Sequence, residues 1–356
     1  MLASLSRRQQ IIVGGSFALS IVTFVLHLAH TNEVLQFIVG ACALGLLAAA
    51  VGESVEEMGS RLGAGATGVL QSALGNLPEL FFAIFALRKG LVVVVQAALI
   101  GSLLANMLLV FGLALLFGGL KNGTQRFSGE APRMISTLLL ISMGALIMPT
   151  LVHQLHTPAS SHESGLSVAS AVVLLLVFAA SIPYSLKGGA SAVTAPAEET
   201  HDRHWPMKLA ILVLGVTSVL SAFVSDFFVQ ALEPAIKSLG ISQAFAGLVI
   251  VAIAGNAVEN VVGIQLALKN RTDYALSVIL NSPLQIALGL TPMLVLLSYV
   301  VGGAHLSLVM PPLLIVALAL ATVAVTVIVI DAETIWLEGV ALIGLYVMIA
   351  AAFWWG

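Results

Sequence analysis

Runs of about twenty consecutive apolar residues recur from one end of this chain to the other. Each is long enough to carry a helix across a hydrocarbon core ~30 Å thick. Lipid supplies no hydrogen bonds, so a spanning segment must be a helix or part of a closed barrel. A barrel would show ~10-residue alternating segments, and this chain has none. Composition agrees: 59% of residues are hydrophobic, 9% are charged and the mean hydropathy is +1.08. A soluble domain carries about a quarter charged residues. The chain therefore reads as an all-α polytopic membrane protein with about eleven transmembrane helices.

The predicted spans cover 11–30, 34–52, 63–87, 91–118, 134–153, 166–186, 207–231, 241–268, 275–300, 306–330 and 334–355. The apolar run Ile11–His30 is too long for the apolar core of a signal peptide and has no small-x-small cleavage site, so it is read as the first span. Cys42 is the only cysteine, which excludes a disulfide framework and a thiolate cluster. The net charge of −3 and the lack of a basic patch give no nucleic-acid partner. The expected partners are the lipid bilayer and transported ions, and the reading admits a homo-oligomer.

The one sizeable polar stretch, 186–204, is rich in Gly, Ala, Ser and Pro and reads as a flexible linker. It divides the chain into an N-terminal helix (1–33), a first five-helix repeat (34–186), a cytoplasmic linker (187–206) and a second five-helix repeat (207–356). Lysine and arginine set the orientation. With the N-terminus in the cytoplasm, inside loops hold Arg7, Arg8, Arg61, Lys121, Arg126, Arg133, Lys187, Arg203, Lys208, Lys269 and Arg271. Outside loops then hold only Arg88, Lys89 and Lys237. The expected location is the cell (inner) membrane, with the C-terminus outside.

The repeat rests on a shift of 180 residues. Gly75-Asn76-x-x-Glu79 lands on Gly255-Asn256-x-x-Glu259, Lys89 on Lys269, Ser102 on Ser282 and Glu53 on Glu233, without a gap. A motif, its loop and the next helix in one register make an internal repeat. Five spans per copy is an odd number, so the second copy is inverted. Inverted repeats with polar, Gly/Pro-interrupted helices at matching positions are the mark of secondary transporters, with the site near the midplane.

A carboxylate inside a span is costly and is a functional-site candidate by default. Glu79 and Glu259 are the two candidates, each on one helix face with its Asn76 or Asn256 three residues earlier. Ser102 and Asn106 in span four, and Ser282 and Gln285 in span nine, add oxygens at helical spacing. Pro78 and Pro283 lack an N–H and are expected to free the carbonyls of Leu74 and Ile279. The inventory is a hard oxygen set; Ca²⁺ takes six to eight such ligands in flexible geometry. His and Cys are missing from it, which disfavours Zn²⁺ and Cu⁺. Low dielectric favours the neutral form of a carboxylate, so protons and a divalent cation compete for the same oxygens. That competition, with the two halves rocking between inward-open and outward-open states, is an exchange mechanism. The structural alternative, helix–helix bridging by these polar groups, applies most to Ser102, Asn106, Ser282 and Gln285.

At "GNLPELFFAIFALRKG", "GNAVENVVGIQLALKN" and "NSPLQIAL" the chain resembles the calcium/proton antiporter (CAX) family of the cation/calcium exchanger superfamily. The likeness runs through nearly the whole chain after the first span. It implies an eleven-span exchanger that extrudes Ca²⁺ against an inward proton flow and needs no cofactor. Glu79 and Glu259 would be its essential carboxylates, with Asn76, Asn256 and nearby carbonyls coordinating. Three departures stand out: Asn260 where many members have His, Pro78 where Ala-like residues are common, and a linker with only Glu198, Glu199 and Asp202 as acids, beside His201 and His204.

Other polar residues have plainer readings. Glu53, Glu56 and Glu57 sit at the cytoplasmic end of span two, either drawing cations to the entrance or forming a solvated helix end. Asp226 falls within span seven as a pathway or relay candidate, and His153, His156 and His162 mark an outer interfacial loop. The terminal "FWW" fits an aromatic belt. The leading reading is a Ca²⁺/H⁺ antiporter. Alternatives are a Na⁺-coupled or Mn²⁺ exchanger of the same fold, a cation channel, and an intramembrane hydrolase, for which no nucleophile–base pair is in sight.

Overall fold

A computed structural model describes residues 5–59, 61, 70, 71, 73–127, 130–186 and 205–355, with the side chains of 130–131, 183–186 and 257–260 outside the description. The chain is a helical bundle. Its helices are α1 (Arg7–Leu28), α2 (Glu33–Gly59), α3 (Leu77–Arg88), α4 (Val92–Asn122), α5 (Glu130–Gln154) and α6 (Glu163–Leu186). After the linker come α7 (Met207–Leu239), α8 (Gln243–Gly255), α9 (Ala257–Leu268), α10 (Thr272–Leu297), α11 (Pro312–Asp331) and α12 (Trp336–Trp354). Among the described residues nine helices are long and apolar enough to cross a membrane. Two further runs, one ending in α3 and one made of α8 and α9, are interrupted at Asn76 and Asn256. With these two runs the described helices are consistent with about eleven spans. A two-residue ribbon, β1 (Gln125–Arg126) antiparallel to β2 (Glu333–Thr334), joins the loops after α4 and α11.

Local chemistry sets several boundaries. The first helix starts at Arg7, four residues before the apolar run. Ser6 caps it through Gln9 N–H at 3.3 Å, and the Gln9 side chain accepts from Ser6 N–H at 2.9 Å. This reciprocal capping box satisfies two orphan donors. The span predicted at 306–330 begins late, at Pro312. Pro311 and Pro312 cannot sit inside a helix, and Gly302 and Gly303 upstream hold φ of 75° and 97°. The extended segment before Pro312 has its polar backbone satisfied by side chains. Gln96 Nε2 donates to Ser307 O at 2.8 Å and Val309 O at 2.9 Å, and Thr150 bonds both Leu308 O and Met310 N–H.

Helices in lipid gain no hydrophobic drive from associating, so close backbone packing at small residues takes its place. A Cβ on Gly247 would lie 2.5 Å from Val94 O, and one on Gly101 would collide with the backbone of Leu248. The first half of α4 and α8 therefore cross backbone to backbone. The same is true of α4 and α12, where a Cβ on Gly339 would lie 2.5 Å from Gly112 O. Gly40 of α2 receives Phe228 of α7, whose ring stacks on Phe37 at 5.1 Å and meets Phe82 of α3 at 5.8 Å. The first helix lies against α2 and α7, outside the two repeats.

The two repeats share helix boundaries under the same 180-residue shift. The short helices α3 and α9 are each 12 residues long, and α2 and α7 end at the matched positions Gly59 and Leu239. Leu87, near the end of α3, lies next to the start of α4, whereas Ala267, near the end of α9, bonds Asn122 at the far end of α4. The matched helices thus run in opposite directions: the five-helix repeats are inverted. The polar linker from 187 to 204, with Glu198, Glu199, His201, Asp202 and His204, lies outside the described residues.

Candidate functional site: two broken helices and an amide cluster

Each Gly-Asn pair is a helix break of nearly the same shape. Asn76 has φ −95° and ψ 21°, and Asn256 has φ −100° and ψ 19°. The break in the first repeat falls at Gly75–Asn76 and not at Pro78. Pro78 lies in the first turn of α3, where a missing N–H costs nothing. Pro283, by contrast, sits inside α10, as expected from its place in the sequence.

The structure gathers the side chains of three of the predicted polar residues, and the backbone of a fourth, into one hydrogen-bonded cluster. Asn106 Nδ2 donates to Asn256 Oδ1 at 2.8 Å, to Ser102 O at 3.0 Å and toward Ser282 Oγ at 3.3 Å. Ser282 Oγ donates to Asn256 Oδ1 at 3.3 Å. Asn256 Nδ2 turns back to Ala252 O at 2.8 Å and so closes the last turn of α8. Asn106 is fully enclosed, and its Oδ1 is buried with no hydrogen bond from the described residues. A buried amide oxygen left unsatisfied costs about 1–3 kcal/mol, which makes it a ready acceptor site for a cation. Ser102 contributes its backbone carbonyl to the cluster. Gln285 is buried beside it in sequence but outside the hydrogen-bonded set, and Asn76 is half-buried at the N-cap of α3.

The first carboxylate reaches across the repeats. A Cβ on Gly255 would lie 2.7 Å from Glu79 Oε1, so the Glu79 side chain rests on bare backbone next to Asn256. Its Oε2 is buried. Glu259 occupies the first turn of α9, three residues beyond Asn256; its side chain lies outside the described residues. Glu79 is likewise in the first turn of α3. A helix N-terminus favours negative charge, which offsets part of the cost of a carboxylate at this depth.

The backbone around the cluster is unusual at matched places. A π-helical turn covers Ala105–Val110 in α4, and another covers Ile286–Leu290 in α10. Under the 180-residue shift the first maps onto 285–290. A third covers Ala246–Val251 in α8. Such turns misalign the carbonyl ladder and concentrate at functional positions. Together the carboxylate, amide and carbonyl oxygens form a hard donor set. Among the described residues no three His, Cys, Asp or Glu side chains gather into a ready-made cluster.

Other predicted residues lie elsewhere. Glu53 and Glu57 do not form a solvated helix end. Both are buried, and Gln9 Nε2 bridges them at 3.1 and 3.2 Å. Trp205 donates its N–H to Glu57 Oε2 at 3.1 Å and its ring N–H to Gln9 Oε1 at 3.0 Å, while Arg8 approaches Glu53 at 3.7 Å. Glu56 is exposed. Asp226 Oδ2 accepts from Gln230 Nε2, one turn further along α7, at 3.0 Å. His153 pairs with Glu163 across the loop between α5 and α6, and His162 Nδ1 meets Ser161 Oγ at 2.9 Å. Sequence reading missed the role of Gly255 as the seat of Glu79, although it stands inside the quoted motif. It also missed Gln9 and Trp205, which carry no pattern of their own.

These features define a class: a membrane protein of two inverted repeats in which a carboxylate from one broken helix lies on the break of the other, beside a buried amide cluster. The chain belongs to the sodium/calcium exchanger protein family, whose model matches residues 32–187 and 209–355. It is 34% identical over 347 residues to the Ca²⁺/H⁺ antiporter of Aphanothece halophytica, covering 92% of each chain. It is 31% identical over 333 residues to the Ca²⁺/H⁺ antiporter ChaA of Bacillus subtilis, covering 92% of this chain and 93% of that one. The solved structure of native YfkE superposes with a TM-score of 0.82 at 30% identity, covering 97% of this chain and 99% of the other.

Proposed function

We propose that this protein is a secondary active transporter that exchanges Ca²⁺ for H⁺ across a membrane by alternating access. The observation that carries the reading is the Glu79 carboxylate laid on the Gly255–Asn256 break, beside an amide cluster drawn from both repeats. The Ca²⁺/H⁺ antiporters among its relatives support the choice of ions.

In this reading Glu79 and Glu259 hold Ca²⁺ or protons in turn. Asn106 and Asn256 supply amide oxygens, and Ser282, Ser102, Gln285 and Asn76 complete or orient the donor set. A site with two bare carboxylates is costly to carry through a low-dielectric barrier, so the empty form crosses only when protonated. That requirement couples the two fluxes. The rocking units are the repeats 34–186 and 207–356, with residues 1–33 and the linker 187–206 outside them. The lysine and arginine distribution puts the N-terminus in the cytoplasm and the C-terminus outside, in the cell membrane.

The test is Ca²⁺ uptake into proteoliposomes of purified protein under an imposed pH gradient without Na⁺. Uptake that collapses when the gradient is dissipated is expected. No uptake, with transport restored by a Na⁺ gradient or by Mn²⁺ as cargo, would keep the fold and replace the ions.

A further inference from the structure

The ends of α3 and α9 opposite the site are held in a reciprocal way. Both helices finish in the same turn, with Gly90 and Asn270 at matched positions in left-handed backbone (φ 78° and 58°). Gly90 N–H bonds Leu87 O at 3.0 Å, and Asn270 N–H bonds Ala267 O at 3.0 Å. Each of these carbonyls takes a second donor, and the donor comes from the opposite repeat. Leu87 O accepts from Ala304 N–H at 3.0 Å, in the loop after α10. Ala267 O accepts from Asn122 Nδ2 at 3.0 Å, and from Gln125 Nε2 at 3.4 Å, at the end of α4 and in the loop after it.

The two ties differ in kind. The one on α3 is a backbone N–H, which no substitution short of proline removes. The one on α9 is built from side chains. Gln125 is 2% exposed, and its amide also donates to Thr272 Oγ1 at 3.1 Å, in the first turn of α10. It fits only because Gly118 lies above it; a Cβ there would stand 2.6 Å from the amide. The ribbon pairing of Gln125 with Thr334, and the Arg126–Glu333 ion pair at 2.8 Å, fix the loop in place.

The helix α9 is therefore gripped twice, by α4 and by the loop that follows it. Asn106 holds Asn256 just before its first turn, and Asn122 with Gln125 holds its last. The two grips are sixteen residues apart along α4, about 24 Å at 1.5 Å per residue, and span a helix about 18 Å long. We propose that Asn122 and Gln125 are positioning residues, which set the height of α9 and so place Asn256 and the Glu259 turn against Asn106 and Ser282 for cation binding. This inference rests on the antiporter reading for its consequence, but its structural core does not depend on it.

The experiment uses the full-length protein with Asn122→Leu, Gln125→Met and the double substitution. Leu is close to Asn in shape but neither donates nor carries charge, and Asn122→Gln restores a donor as the rescue variant. Hydrogen exchange is read by mass spectrometry in detergent, and Ca²⁺ half-saturation is read in proteoliposomes. Each lost bond is expected to raise the half-saturation concentration about threefold, and the double substitution about tenfold, from a net ~0.5–1.5 kcal/mol per hydrogen bond. Maximal rate per folded protein stays within about twofold, because the grip acts on binding geometry. Residues 257–268 exchange faster in the double variant, residues 77–88 do not, and Asn122→Gln moves back toward wild type. Unchanged exchange in 257–268 overturns the grip, whether or not Ca²⁺ is the cargo. A lower rate at unchanged half-saturation overturns the positioning role and leaves a merely structural one. Faster exchange in 77–88 as well marks general destabilisation and also overturns it. Wild-type protein without Ca²⁺ transport would sink the antiporter reading on its own, with the exchange data still deciding the grip.

Discussion

Glu79 meets Gly255 through space that only a missing side chain leaves open. Gly255→Ala would push a methyl group into a 2.7 Å gap beside the carboxylate. Overpacking of this kind costs about 1–3 kcal/mol, so Ca²⁺ half-saturation should rise roughly 5- to 150-fold while the protein still folds. In the proposed site, Glu79→Gln and Glu259→Gln would each remove one of the two charges that hold the cation. Losing one partner of a buried charged contact costs about 2–5 kcal/mol, equivalent to roughly 30-fold to several-thousand-fold in affinity. Both variants should fall below the detection limit of a proton-driven uptake assay. Activity surviving in both would remove these residues from the site.

At the scale of elements, the backbone crossing of α4 and α8 leaves no room for side chains. Gly101→Ala should lower the melting temperature of the detergent-purified protein by several degrees. Gly14→Ala in the first helix, where a Cβ meets nothing within 4 Å, should leave it unchanged. A Gly101→Ala protein as stable as wild type would mean that α4 and α8 can separate at no cost. This scale also separates what the residues reveal from what they hide. The paired motifs were legible because Gly-Asn and a later Glu recur at a fixed 180-residue shift, but the breaks themselves were not: the spacing puts Asn76 and Asn256 on one helix face with their glutamates, whereas each stands at the break before its helix. Pro78 pointed to the wrong cause, since a proline in the first turn of a helix looks no different in sequence from one in its interior. The start of α11 was blurred because the mostly apolar stretch 306–310 serves an extended segment as well as a helix. Glu53 and Glu57 read as solvated acids, yet Gln9 and Trp205, 44 and 148 residues from them, enclose them. Pairings at such separations leave no trace in local pattern.

For the whole molecule, the proposed site is shared by two inverted repeats, and in that reading the ions are coupled by competition: protons neutralise the carboxylates that hold Ca²⁺. Lowering pH on the side from which Ca²⁺ loads should therefore raise its half-saturation concentration, and raising pH should lower it, with both faces responding alike. A half-saturation that ignores pH would separate the proton from the Ca²⁺ site. Orientation has its own check. In a Cys42→Ala background, a membrane-impermeant maleimide added to intact cells should label Trp355→Cys and spare Arg7→Cys; the reverse pattern would turn the molecule over.

The contact between Gly101 and α8 also has a mechanical reading. It lies five residues from Asn106 and twenty-one from Asn122, about 7.5 and 31 Å along the axis of α4. A rigid tilt of α4 about that point would have arms in a ratio near one to four. A tilt of about five degrees displaces the short arm by under 1 Å and the long arm by nearly 3 Å. The Gly112 contact with Gly339 sits on the longer arm, so a shift of less than a bond length at the amide cluster could be carried to the far end of α4 only if α12 moved with it.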